Sequence, residues 1–135
     1  MVKRKDTLPP EIGPHEGKEF ALMNRGLKHV AMFPDFIPDG LDDFLRDDTF
    51  SFFFDRFTTI RHRSFRLFVY RKSHDSQARE LAYILSTYGK KQRFDPALER
   101  RIGQILGYSE KEITAWMRIN AKRRHQRSRP RRTRR

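Results

Sequence analysis

Apolar residues recur along this chain in two periods, and the changes between them lay out a fold. Phe20, Met23 and Leu27, with Leu22 beside them, fall at helical spacing, and Gly26 is placed as a stop. This predicts a short helix over about Glu16–Arg25. His29–Phe33 (HVAMF) is a short apolar run that reads as a buried strand. Pro34 and Pro38 then enforce a loop, and Leu41, Phe44 and Leu45 predict one or two helical turns within GLDDFLRDD. After them the period becomes two. Phe50–Phe57 (FSFFFDRF) and Ser64–Tyr70 (SFRLFVY) are rich in aromatic and β-branched residues and predict two strands, joined through TTIRHR as a hairpin. Phe50, Phe52 and Phe54 share one face of the first strand, with Phe53 and Phe57 on the other. In the second, Phe65, Leu67 and Val69 lie opposite Arg66, Phe68 and Tyr70. With aromatics on both faces, either further elements cover both sides of the sheet or one aromatic face is a contact surface.

The last third returns to helical spacing. Ala78, Leu81, Ala82, Leu85 and Tyr88 line one helix, with Gly89 as its stop. Asp95-Pro96 supplies an N-cap followed by proline at the first helical position; Leu98, Ile102 and Ile105 form the inner face of the helix it opens, and Gly107 ends it. Ser109-Glu110-Lys111-Glu112 matches a capping box. Ile113, Trp116 and Met117 make the inner face of a third helix, which Pro130 would stop at the latest. Pro9, Pro10, Gly13 and Pro14 make residues 1–14 an extended lead-in. The expected architecture is α+β: a small antiparallel sheet of about three strands, an N-terminal helix and a C-terminal run of three helices. It forms one domain over residues 15–121, followed by a disordered basic tail over 122–135.

Charge changes the picture at the ends. The net charge is +13, yet Lys3–Lys5 and Lys122–Arg135 hold 3 and 9 of the 30 basic residues, leaving 18 against 17 acidic ones in between. Within that near-neutral body, Asp6–Asp55 is acidic and Arg56–Ala121 basic, so the halves either neutralise each other or leave a basic face. There are no cysteines, which excludes disulfides, thiolate catalysis and cysteine metal sites, and fits a reducing, cytoplasmic setting. No apolar run is long enough to span a membrane. The basic N-terminus has no apolar segment behind it, so it does not read as a secretory signal.

The C-terminal segment carries the clearest chemistry. Lys122, Arg123, Arg124, Arg127, Arg129, Arg131, Arg132, Arg134 and Arg135 put nine positive charges into fourteen residues, with Arg118 just before them. Such a segment cannot bury enough apolar surface to offset its ordering entropy. Guanidinium groups grip phosphate through two bonds and stack on bases, and counterion release makes the binding strong and salt-dependent. The expected partner is nucleic acid, DNA or RNA. The plain alternative is a solubilising tail, or one that docks on the acidic first half. Arg61, Arg63, Arg66, Arg71 and Lys72, interleaved with Phe65, Phe68 and Tyr70, form a second candidate patch, whose plain alternative is a core strand with solvated arginines. The two helices joined by Leu106-Gly107-Tyr108-Ser109 also allow a helix-turn-helix reading, with Lys111, Thr114 and Arg118 outward.

Catalytic signals are thin, and no cofactor or metal is implied. His15-Glu16-Gly17-Lys18-Glu19 fails as a zinc-protease motif because position 19 is glutamate. His62 and His74 flank the second hairpin strand among arginines, the composition of a metal-independent ribonuclease. A third reading is a protein-interaction module (an inhibitor, antitoxin-like protein or mobile-element accessory factor) that uses the Phe-rich strand and the acidic loop Asp39–Asp48. Finally, Pro9–Phe33, with its I-G-x-H-E-G-x-E opening and A-M-F strand end, resembles a group of small uncharacterised bacterial proteins. So does Leu98–Trp116, where Ile105 stands in an L-L-G-Y pattern. The resemblance covers the body and not the tail. It implies a bacterial setting and a compact α+β fold, and no activity or site residues.

Overall fold

The strand β3 (Arg63–Arg71) holds four consecutive buried residues, Leu67, Phe68, Val69 and Tyr70, where alternation alone would bury every second one. A strand with both faces buried is a central strand packed from two sides, and the computed structural model places it there. The structure describes residues 15–58, 63–88 and 94–128, with 120–128 as backbone alone. Strand β1 (Val30–Pro34) and strand β2 (Phe50–Thr58) flank β3, both antiparallel to it, in the order β1-β3-β2. The register aligns Ala31 and Phe52 with Val69, and Phe33 and Phe54 with Leu67.

Helices cover both faces of the small antiparallel sheet in this α+β fold. On one face Ala31, Phe33, Phe50, Leu67 and Val69 pack under Met23 of α1 (Glu19–Asn24) and under Leu41 and Phe44 of α2 (Leu41–Leu45). On the other, Val30, Phe68 and Tyr70 pack under Ala78, Leu81 and Ile84 of α3 (Asp75–Tyr88) and Ile105 of α4 (Pro96–Ile105). A single 3-10 turn, Lys72–His74, joins β3 to α3. Helix α5 (Glu110–Ser128) follows α4. Among the described residues no helix is long and apolar enough to cross a membrane.

The helix ends follow the local chemistry of the sequence. Asp95 accepts hydrogen bonds from the Ala97 and Leu98 amides at the start of α4. At the start of α5 the capping box closes reciprocally: the Glu112 amide donates to Ser109 Oγ at 3.2 Å, and the Ser109 amide to Glu112 Oε1 at 2.9 Å. Helices α1 and α4 end in the same Schellman pattern, Leu27 to Leu22 with Gly26 to Met23, and Tyr108 to Gly103 with Gly107 to Gln104. The second pattern needs glycine because Gly107 sits at φ +89°.

One boundary differs from the sequence reading. Helix α1 begins at Glu19, after a turn over residues 16–18, because Gly17 at φ +79° cannot open a helix. Helix α5 continues past Ala121 to Ser128, inside the limit set by Pro130. Alanine, lysine, arginine and glutamine are good helix formers, and nothing between 121 and 128 interrupts them. Residues 1–14, Gly89 and 129–135 lie outside the described residues.

Candidate functional site

Helix α5 leaves the body in the direction of the basic segment. Lys111, Thr114 and Arg118 are exposed on it, while Ile113 and Ala115 are buried against the fold. The backbone of Lys122, Arg123, Arg124 and Arg127 continues the same helix. Arg129, Arg131, Arg132, Arg134 and Arg135 lie outside the described residues.

Much of the body's charge, by contrast, is matched within it. Arg66 pairs with Asp55 at 3.2 Å and Lys72 with Asp48 at 2.7 Å, both joining the basic half to the acidic half. Arg101 grips Glu80 through two bonds of 2.6 and 2.7 Å, and Arg100 pairs with Glu110. The Glu80 carboxyl is held below its ordinary pKa by the hydrogen bonds from Arg101.

The second candidate patch is divided by the pleat. Arg63 and Arg71 share one face of β3, and Arg66 takes the other. Arg66 lies against Phe57, 4.2 Å from the ring centroid, beside its pairing with Asp55. Arg71 donates from Nη2 to the Met23 carbonyl at 3.0 Å, closing the C-terminal end of α1, and sits over the Phe50 ring. Phe68 and Tyr70, expected beside these cations, are core residues under α3 and α4. Arg63 is exposed. Arg61 and His62 lie outside the described residues; His74 stacks on His29, with ring centroids 4.0 Å apart.

A different group of residues forms an exposed surface that the sequence reading assembled only in part. The short helices α1 and α2 cover β1, β3 and Phe50, but not the rest of β2. Phe52 and Phe54 remain 44% and 40% exposed. Their rings meet edge to face at 5.8 Å, and Phe54 meets Phe65 in the same way at 5.7 Å. Arg56 and Arg63 follow on the same face. Together with Phe57, Thr58, Ser64 and Phe65 they border a hollow of about 350 Å³ at the hairpin end. Neither arginine takes part in an ion pair among the described residues. Arg56 stands two positions beyond Phe54, a spacing visible in the sequence.

A third constellation was not legible at all. His15 stacks on Tyr108 with centroids 3.9 Å apart and rings within 7° of parallel. Lys28, only 2% exposed, donates from Nζ to His15 Nδ1 at 2.9 Å and to the Leu106 carbonyl. An ammonium can only donate, so Nδ1 is the acceptor and the neutral ring carries its proton on Nε2. Burial lowers the Lys28 pKa to about 8. Burial, and then the neighbouring Lys28 charge, lowers His15 to about 4. Leu106 closes α4, so the lysine also complements the negative end of that helix. The group is a clasp: it ties the turn before α1 to the turn between α4 and α5. His15 and Tyr108 also line a cavity of about 500 Å³ together with Leu85, Ile102, Leu106, Ile113 and Trp116.

No known protein family, curated protein or solved structure matches the chain. Among the described residues there is no group of histidines and carboxylates able to hold a metal ion.

Proposed function

We propose that the protein binds nucleic acid through phosphate contacts made by the basic segment Lys122–Arg135, assisted by Arg118, at the end of α5. The observation that carries this reading is the separation of charge. In the body, Arg66 and Lys72 of the second half pair with Asp55 and Asp48 of the first, and Arg79, Arg100 and Arg101 pair with acids of their own half. The C-terminal fourteen residues hold nine cations and no acid. A polymer of phosphates is the partner whose charge density suits such a segment, and arginine is the side chain suited to phosphate. In this reading the protein is a binding protein and not an enzyme.

The test is a salt series on labelled DNA and RNA, comparing the full chain with a variant in which the eight arginines from Arg123 to Arg135 become glutamine. Glutamine keeps helix propensity and removes charge. The full chain should lose affinity steeply with salt, with a log–log slope of about −0.7 to −0.9 per phosphate neutralised. The variant should bind at least roughly 100-fold more weakly at low salt, with a much flatter slope. Equal binding by both proteins would refute the reading.

A further inference from the structure

We infer that the uncovered corner of the sheet is a platform for single-stranded nucleic acid, with bases stacking on Phe52 and Phe54 and phosphates meeting Arg56 and Arg63. The inference rests on the nucleic-acid reading above and specifies which form of nucleic acid is favoured. Three observations support it.

The first is the aromatic surface itself. Burying a phenylalanine removes a large apolar area from water, so a chain gains stability by covering such rings. Here two adjacent ones are left 44% and 40% exposed on the same strand face, and a third, Phe65, extends the row. Exposed rings in a row on a strand give successive bases π-faces to stack on, whatever their sequence.

The second is charge complementarity. The row leads directly to Arg56 and Arg63, which face the same side of neighbouring strands and border the hollow at the hairpin end. The carboxylate closest in sequence, Asp55, points to the opposite face and is taken by Arg66. Asp35 lies beyond Phe65, where its Oδ1 accepts the Phe65 amide. The acids of α2, Asp42 and Asp43, sit by Phe50 at the other end of β2. Six residues of strand, or roughly 20 Å, separate that end from Arg56. The corner thus offers aromatic faces and two cations without an ion-pair partner among the described residues.

The third is access. Strand β2 is an edge of the sheet, so among the described residues no further strand closes the corner along its outer side. A flexible single strand can splay its bases onto the rings from there. In a duplex the bases are stacked inside, and only phosphates reach such a surface.

The experiment uses the full chain, fluorescence anisotropy and two labelled probes, a ten-nucleotide oligothymidine and a ten-base-pair duplex, at ~150 mM salt. The double variant Phe52→Ala/Phe54→Ala should lose about 10-fold to 100-fold affinity for the strand, and less than about 2-fold for the duplex. Arg56→Gln/Arg63→Gln should weaken strand binding and flatten its salt dependence by about one to two phosphates. Should the alanine variant fold poorly by circular dichroism, Phe54→Trp supplies a second readout. Its emission should be quenched by oligothymidine and not by the duplex. Strand binding unchanged in the alanine variant, or equal losses on strand and duplex, overturns the platform. So does a wild-type dimer that Phe54→Ala dissociates and oligothymidine does not compete with, since the face then belongs to a second copy. The arm and the platform fail separately. If the charge-neutralised tail variant binds the strand as well as the full chain does, while the phenylalanine variant loses it, the arm is wrong and the platform stands. Loss only in the tail variant gives the reverse.

Discussion

Acidification should loosen this fold through one imidazole. His15 is neutral because Lys28 donates to its Nδ1, and its pKa is lowered to about 4 by burial and by that lysine. Protonation would turn the acceptor into a donor and place two cations against each other. The unfolded chain has no such conflict and takes up the proton near 6.5. The folded pKa is therefore the lower one, and the stability it represents is complete above about pH 6.5 and is lost as the pH falls towards about 4. A depression from 6.5 to about 4 corresponds to roughly 3 kcal/mol at ~1.4 kcal/mol per tenfold. Because the ring is only partly buried, screening by water reduces this to about 1–2 kcal/mol. Lys28, with a folded pKa of about 8, stays charged across this window and adds no slope of its own. His29, lowered by burial and by His74 and Arg71, acts in the same direction. The assay is urea unfolding followed by circular dichroism at pH 7 and at pH 5, above the main carboxylate range. His15→Gln is the comparison, since the amide oxygen still accepts from Lys28 and does not titrate. Between the two pH values the wild type should lose about 1 kcal/mol more than the variant. Equal losses would refute the clasp as the origin of the acid sensitivity.

Two further substitutions probe the packing of the last helices. A Cβ on Gly103 would lie 2.6 Å from Ile113 Cγ1, so Gly103→Ala should destabilise by about 1 kcal/mol, overpacking outweighing the gain in helix propensity. In an Ile113→Ala background the same substitution should stabilise by up to about 1 kcal/mol, and chemical denaturation of the four proteins reads that change of sign. Trp116 is half-buried on the cavity wall, so Trp116→Ala should cost about 1–2 kcal/mol, below the usual loss for a fully buried ring, in the same denaturation assay.

The course of the chain was legible where a local rule acts alone. The Asp95 cap, the Ser109–Glu112 box and the two-sided apolar run of β3 each depend on residues a few positions apart, and each stands as read. What the sequence concealed depends on distance in the fold. Lys28 looks like a surface lysine until Leu106, 78 residues away, receives its ammonium. The His15–Tyr108 stack joins segments whose only local sign is a pair of glycines, Gly17 and Gly107, both at positive φ. The basic stretch around β3 is not one surface, in keeping with the plain reading of it as a core strand. Residues adjacent in the string alternate across the sheet, so Arg66 and Arg71 are separated and drawn into internal contacts. Which phenylalanines stay exposed follows from the five- and six-residue lengths of α2 and α1, which cover Phe50 and stop short of Phe52 and Phe54.

The two proposed contacts also fit each other in magnitude. Stacking of two bases at about 1–3 kcal/mol each supplies roughly 2–6 kcal/mol, which by itself corresponds to a Kd from about 40 μM to tens of millimolar. Over most of that range such a surface would hold little strand at micromolar concentration. An arm that has already captured the same polymer changes the comparison, because a tethered strand meets the surface at an effective concentration of order millimolar. Arm and platform would then divide the work. The proposed arm, with its nine cations, would set the affinity and its salt dependence and treat strand and duplex alike. The proposed platform would add the preference for unpaired bases. Removing the rings should therefore change which nucleic acid is held far more than how tightly a duplex is held. Removing the charges should do the opposite, and this crossed pattern is something neither a merely solubilising tail nor a merely aromatic core would produce.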